Sequence, residues 1–214
     1  MWSLWMLRNR RKHGEGGLSI KQAVLWVRDT SFDLWQILHP IKQPKPATDQ
    51  PKWSKPCEGW IKCNLDAPFS TGNMQGVTGV VLRDDAGVFL AAQAKPYGQC
   101  MDALTVEAYA CRDGMVLAEG FGVSRLCLET DCRELTGLWE NRHECRSAIA
   151  PIVTELQECS RRFQGFSFSH VSRQCNKVAD ELAKQANGQI ETVVWHEAPL
   201  RVHSLLEADC NHST

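Results

Sequence analysis

The sequence predicts a mixed α/β fold: a five-stranded mixed sheet flanked by helices, with an N-terminal helical extension. Two observations carry this reading. Three strand-like runs follow one another closely, Trp60–Ala67, Val77–Arg83 and Val88–Ala94, and Asp84-Asp85-Ala86-Gly87 forms a hairpin turn between the last two. Helical and strand patterns then alternate to about residue 186, the order expected when helices cross over a sheet.

Residues 1–39 read as two helices, the second running from Ser19 as N-cap through Ala23, Val24, Trp26, Val27, Leu34 and Ile37 at near-helical spacing. Residues 40–59 carry Pro40, Pro44, Pro46, Pro51 and Pro56 among Lys, Gln and Ser, which predicts a stiff, extended linker. The folded domain is expected over 60–190. After the three strands come a helix at about Met101–Glu119, a strand at Arg125–Thr130 and a short helix from Asp131 to about Glu140. A helix at about Ser147–Arg162, a strand at Phe166–Val171 and a helix at Asn176–Ala186 complete it. Residues 191–214 carry weak signals and read as a partly ordered tail.

The composition is that of a soluble globular chain, and no apolar run approaches the ~20 residues of a membrane span. At the N-terminus Trp2, Leu4, Trp5, Met6 and Leu7 precede Arg8, Arg10, Arg11 and Lys12, the reverse of a signal peptide, so the expected location is intracellular. The basic stretch fits a nuclear import signal, a nucleic-acid arm or a solvated helix end, which leaves cytoplasm and nucleus both open. Ten cysteines without a Cys-x-x-Cys pair are expected as free thiols, not as disulfides or a zinc site. Residues 1–59 hold ten Lys/Arg against five Asp/Glu, whereas 60–190 hold thirteen against sixteen. The central region is therefore no general polyanion binder, and a nucleic acid would need bound metal, local basic patches or the N-terminal arm. Gly-x-Gly-x-x-Gly and Gly-x-x-x-x-Gly-Lys loops are both absent.

Four acids stand out. Asp66 ends the first strand, Glu107 lies on the apolar side of the long helix, Asp131 follows the Arg125–Thr130 strand, and Asp180 falls in the first turn of the last domain helix. At 100° per residue Glu107 shares its face with Ala103, Leu104, Ala110, Cys111, Gly114 and Ala118, while Thr105, Arg112, Asp113 and Glu119 lie opposite. A carboxylate facing the sheet is costly unless it has a cationic partner. Each acid also has a bland explanation. Alternation groups Asp66 with Lys62 and Asn64 on a solvated face, and Asp131, Glu107 and Asp180 suit the start of a helix. Together they offer an all-oxygen site of the kind Mg²⁺ prefers, suited to phosphodiester chemistry. His170, ten residues before Asp180, is placed to carry a proton.

The segments holding these residues resemble the type 1 ribonuclease H family in its plant retroelement-derived, reverse transcriptase-associated version. They are Lys62-Cys63-Asn64-Leu65-Asp66, Gly79-Val80-Val81-Leu82-Arg83-Asp84, Val106-Glu107-Ala108 and Glu129-Thr130-Asp131-Cys132, then Phe168-Ser169-His170-Val171-Ser172-Arg173 and Asn176-Lys177-Val178-Ala179-Asp180-Glu181-Leu182-Ala183. The resemblance spans residues 60 to about 187. It implies the ribonuclease H-like fold and hydrolysis of the RNA strand of RNA–DNA hybrids. It further implies two Mg²⁺ ions (or Mn²⁺) held by Asp66, Glu107, Asp131 and Asp180, with His170 assisting proton transfer or product release. Asn64, Asn73, Gln75 and Asn176 are the expected polar contacts to substrate, which would be told from DNA by its 2′-hydroxyls.

Two departures bear on activity. Pro68 follows Ala67, where the family has a small residue, and removes a backbone donor beside Asp66. The basic substrate-gripping protrusion of bacterial relatives has no counterpart here. The alternative reading is accordingly a domesticated retroelement domain that binds nucleic acid or a protein partner without catalysis. A 3′→5′ exonuclease would want Asp-x-Glu on the first strand, and a transposase-type nuclease a Glu in place of Asp180. Neither pattern is present.

Overall fold

A computed structural model describes residues 51–142, 147–186 and 190–210, with scattered positions between Trp5 and Leu34. The chain forms two compact units, Met1–Asp49 and Gln50–Thr214. In the first, Trp5, Arg8, Asn9 and Lys12 are helical, as are Lys21, Gln22, Val24, Leu25, Val27, Arg28, Thr30, Ser31 and Leu34. The proline-rich stretch as far as residue 50 lies outside the described residues.

The second unit is built on one mixed sheet. Its strands are β1 (Ile61–Asp66), β2 (Phe69–Ser70), β3 (Gln75–Arg83), β4 (Phe89–Tyr97), β5 (Arg125–Thr130), β6 (Gly165–His170) and β7 (Val193–Trp195). The spatial order is β6-β5-β1-β3-β4-β7, with β2 paired to β3. β1, β5 and β6 are parallel neighbours; β1–β3, β3–β4 and β4–β7 are antiparallel. The helices are α1 (Ala103–Gly120), α2 (Arg133–Glu140), α3 (Ala150–Ser160), α4 (Lys177–Gln185) and α5 (Leu200–Cys210).

Both faces of the sheet are covered, which is why β3 reads as the unbroken apolar run Val80-Val81-Leu82. Val80 and Leu82 pack with Cys63, Leu65, Leu126 and Leu128 beneath α1, while Val81 packs with Val178, Ala179, Leu182 and Val202 of α4 and α5. Two glycines permit these approaches. A Cβ on Gly79 would lie 2.6 Å from the Ala183 nitrogen and 2.7 Å from its Cβ, so α4 sits as close to β3 as a missing side chain allows. Gly114 of α1 likewise leaves room for the Cys63 sulfur, which a Cβ would meet at 2.8 Å.

The five expected strands are present, and two more join the sheet. β2 and β7 are too short, at two and three residues, for alternation to register in the sequence. The tail expected over 191–214 instead supplies an edge strand and a helix. The folded unit also begins before residue 60. Trp53, expected in the linker, is 2% exposed and stacks on the Arg83 guanidinium at 3.7 Å.

These additions bury one face of β1. Asn64, expected to contact substrate, is fully buried: its Oδ1 accepts from Trp53 Nε1 (2.9 Å) and Arg83 Nη2 (2.7 Å), and its Nδ2 donates to Glu129 Oε2 (2.8 Å). Lys62 pairs with Glu129 at 2.7 Å and donates to the Ser54 carbonyl. Arg83 pairs with Asp209 of α5 at 2.7 Å. The face that alternation assigned to solvent is thus closed by segments from outside the domain's repeating pattern.

The helix reading needs a similar correction. Thr105 and Asp113, expected opposite the sheet, are buried, and Asp113 accepts from Thr78 Oγ1 (2.7 Å) and Tyr97 Oη (2.9 Å). α1 packs against β3 and β4 as well as β1 and α3, so a wider arc is covered than one stripe. The nine described cysteines are all free, as expected.

If Trp53 belongs to the core, Trp53→Ala should cost about 3–5 kcal/mol. Urea unfolding of the full chain measures it; a loss below about 1 kcal/mol would show that the segment is not docked.

Candidate metal centre

The site follows from strand register. Leu65 of β1 is paired in parallel with Thr130 of β5, so the residues that come next, Asp66 and Asp131, emerge side by side at the carboxyl edge of the sheet. That edge is where open α/β sheets place ligands. Asp102 caps α1 by accepting from the Thr105 nitrogen at 2.8 Å, and one turn later the helix brings Glu107 over the same edge. One carboxylate oxygen from each of Asp66, Glu107 and Asp131 lies within 4.8 Å of the others, and all three residues are half-buried. Among the described residues this is the one His/Cys/Asp/Glu cluster able to hold a metal ion, and its ligands are oxygen alone.

Asp180 opens onto the same cleft from the first turn of α4 but stands outside the tight group, paired with Lys184 one turn along. The cleft encloses about 480 Å³, walled also by Ala67, Pro68, Phe69, Ala103, Arg173 and Asn176. Pro68 does not disturb β1, whose pairing with β3 runs unbroken to Asp66↔Gly79; its carbonyl accepts from the Val77 nitrogen at 3.1 Å.

Three further residues position the acids. Thr130 Oγ1 donates to Glu107 Oε2 at 3.2 Å and accepts from the Cys132 nitrogen at 3.1 Å. Asn176, expected to touch substrate, is 2% exposed; its Nδ2 donates to the Leu65 carbonyl at 2.7 Å and lies 3.5 Å from Asp66 Oδ1. It pins the end of β1 and is closed to solvent. Arg173, on the 3₁₀ turn Arg173–Cys175, donates from Nε to Asp131 Oδ2 at 3.0 Å.

The other expected site residues lie around this group. His170 ends β6, half-buried and paired in register with Thr130, and is not among the residues walling the cleft. Asn73 and Gln75 are exposed, joined by a 2.7 Å hydrogen bond, and line a neighbouring groove with Tyr97 that shares Pro68 and Phe69 with the acidic cleft. Arg173, Thr130 and Lys184 were not singled out in the sequence. Lys184 had a signal, its place four residues after Asp180; Thr130 and Arg173 had only their membership of the segments that carry the resemblance.

Burial and proximity both raise the proton affinity of Asp66 and Glu107. Burial, then Asp131 and Asp180, push the Asp66 carboxyl up to about 7. Burial, then Asp66 and Asp131, push Glu107 up to about 8, opposed by the Thr130 hydrogen bond and Arg173. A hard divalent cation fits this donor set, because it would replace mutual repulsion by shared attraction.

Comparison with known proteins agrees with the class that fold and cleft define, a ribonuclease H-like α/β domain. Residues 64–186 match the reverse transcriptase-like family, and the chain belongs to it. An Arabidopsis thaliana protein named "Putative ribonuclease H protein" is 25% identical over 191 residues, 87% of this chain; the chain spans 30% of that relative's length. Ribonuclease H1 of the archaeon Halobacterium salinarum superposes with a TM-score of 0.56 at 22% identity, covering 60% of this chain and 98% of that one. LC11 ribonuclease H1, solved in complex with an RNA/DNA hybrid, gives 0.53 at 17% identity, over 58% of this chain and 94% of that one. At these identities the structures establish the fold. No helix among the described residues is long and apolar enough to cross a membrane.

The raised Asp66 carboxyl carries a signed prediction. Its folded value lies above the ordinary one, so without metal it lowers stability progressively as pH rises from about 4 to about 7. Asp66→Asn should therefore match the parent near pH 4 and exceed it in stability from about pH 7 upward. Urea midpoints in EDTA across that range measure the gap, which Mg²⁺ should close; a gap independent of pH would contradict the raised Asp66 carboxyl.

Proposed function

We propose that this chain hydrolyses the RNA strand of RNA–DNA hybrids at the cleft formed by Asp66, Glu107, Asp131 and Asp180. The observation that carries the reading is the convergence of Asp66, Glu107 and Asp131 at the carboxyl edge of a ribonuclease H-like sheet. Bound divalent ions, Mg²⁺ or Mn²⁺, would supply the Lewis acidity for in-line displacement at phosphorus. Asp66, Glu107 and Asp131 would hold an ion between them, and Asp180, on the same cleft but paired with Lys184, would add a further carboxylate. Thr130 and Asn176 keep Glu107 and the end of β1 in place, so Asp66 and Glu107 need not reorganise. His170, which neighbours Thr130 outside the cleft wall, would assist either proton transfer to the departing 3′ oxygen or product release. Asn73 and Gln75, in the adjoining groove, meet the 2′-hydroxyls or backbone of the hybrid.

The pairing of Asp180 with Lys184 favours a second reading, a nucleic-acid-binding domain without turnover. Cleavage of a labelled hybrid decides between them. The protein should cut it only with Mg²⁺ or Mn²⁺ present, and Asp131→Asn should reduce the rate by more than the roughly 100-fold that loss of an outer partner costs. Metal-independent binding with no cutting would establish the second reading.

A further inference from the structure

We propose that Lys52, Gln174 and Lys177 form a phosphate subsite beside the acidic cleft, one that grips the backbone of the strand the cleft engages. The inference rests on the nucleic-acid reading above. The segment from Arg173 to Lys177 presents two sides. Arg173 and Asn176 wall the acidic cleft, whereas Gln174 and Lys177 wall a separate pocket together with Lys52, Trp53, Leu205 and Asp209. A strand lying in the cleft therefore has this pocket one short turn of chain away. Both walls are anchored. Trp53, buried against Arg83, fixes the backbone next to Lys52, and the buried Cys175 and Asn176 fix the backbone between Gln174 and Lys177.

Size and charge define what the pocket takes. It encloses about 220 Å³. That is below the roughly 300 Å³ at which small-molecule pockets begin, so a phosphate group fits and a base with its sugar does not. Lys62, Lys95 and Lys184 are each paired with a carboxylate, but Lys52 and Lys177 are exposed and their side chains make no ion pair among the described residues. The Asp209 carboxylate in the same wall is engaged by Arg83 Nη1 at 2.7 Å. Gln174 adds an exposed amide able to donate to a phosphate oxygen. Residues 60–190 hold thirteen basic against sixteen acidic side chains, so a polyanion needs local cations of this kind. Lys52 precedes the matched span of 64–186, and Leu205 and Asp209 follow it, so the pocket depends on segments that this chain adds to that span.

The test uses the full chain and the anisotropy of a fluorescent RNA–DNA hybrid, with Ca²⁺ replacing Mg²⁺, over a salt series. The double variant Lys52→Gln with Lys177→Gln should weaken binding about tenfold and lower the salt slope by about two, each single variant by about one. Gln174→Ala should weaken binding without changing the slope. Lys55→Gln, at an exposed lysine outside the pocket, should leave affinity and slope as they were. Equal effects of Lys55→Gln and Lys177→Gln would overturn the inference, because binding would then follow overall charge and not a site. An unchanged slope in the double variant would overturn it too; loss of inorganic phosphate binding in calorimetry would then mark a free-anion site instead. Failure of the unsubstituted protein to bind hybrid overturns the functional reading and this inference with it, an outcome distinct from the other two.

Discussion

Three carboxyl groups held within 4.8 Å of one another in a half-buried cleft disfavour one another's ionisation, and much of the surrounding structure holds them together against that cost. Each lies on a different element, so no single helix or strand can yield and relieve all three. Asp66 and Asp131 are fixed by the parallel ladder between β1 and β5, which would have to slip in register to separate them. Glu107 is fixed by α1, whose close approach at Gly114 and buried Asp113 network leave it no room to roll. A cation placed among the three carboxylates would offset both the cost of burying their charges and their mutual repulsion, so the arrangement favours binding one.

A second unusual charge lies on the opposite face. Arg83 is fully buried, and a buried guanidinium is tolerated only when paired and hydrogen-bonded. Asn64 and Asp209 supply the bonds, and Trp53 covers the planar face of the guanidinium. Trp53 and Asn64 come from the start of the unit and Asp209 from its far end, so the site around Arg83 closes only when both segments dock. Removing one partner would leave a buried charge unmet, which costs more than the pair itself contributes.

The legibility of the sequence follows from this division. β5 could be read residue for residue, because an apolar run bounded by a turn and a helix start has one simple solution. Asp66 and Asp131 could be picked out because each sits at the end of a strand, and Glu107 because it is a carboxylate on the apolar face of a helix. What could not be read is what covers what. Lys62 and Asn64 alternate with Cys63 and Leu65 as a solvated face would, and nothing local reveals that Trp53 and α5 lie over them. Asn176 shows the same limit: a polar residue beside the motif looks like a substrate contact until the fold turns its amide toward the Leu65 carbonyl.

The closing segments also bear on the cleft. α4 carries Asp180 and follows directly on Arg173 and Asn176, and it is packed from both sides: against β3 through Gly79, and against α5 through Leu182 and Val202. α5 lies wholly beyond the matched span of 64–186, and Trp53 lies before it. Without α5, one face of α4 would lose its apolar cover and Arg83 its carboxylate partner, loosening the helix that sets the distance from Asp180 to Asp66. Residues that touch nothing in the cleft thus help fix its width, and the folded unit that carries it reaches from Trp53 at least to Cys210.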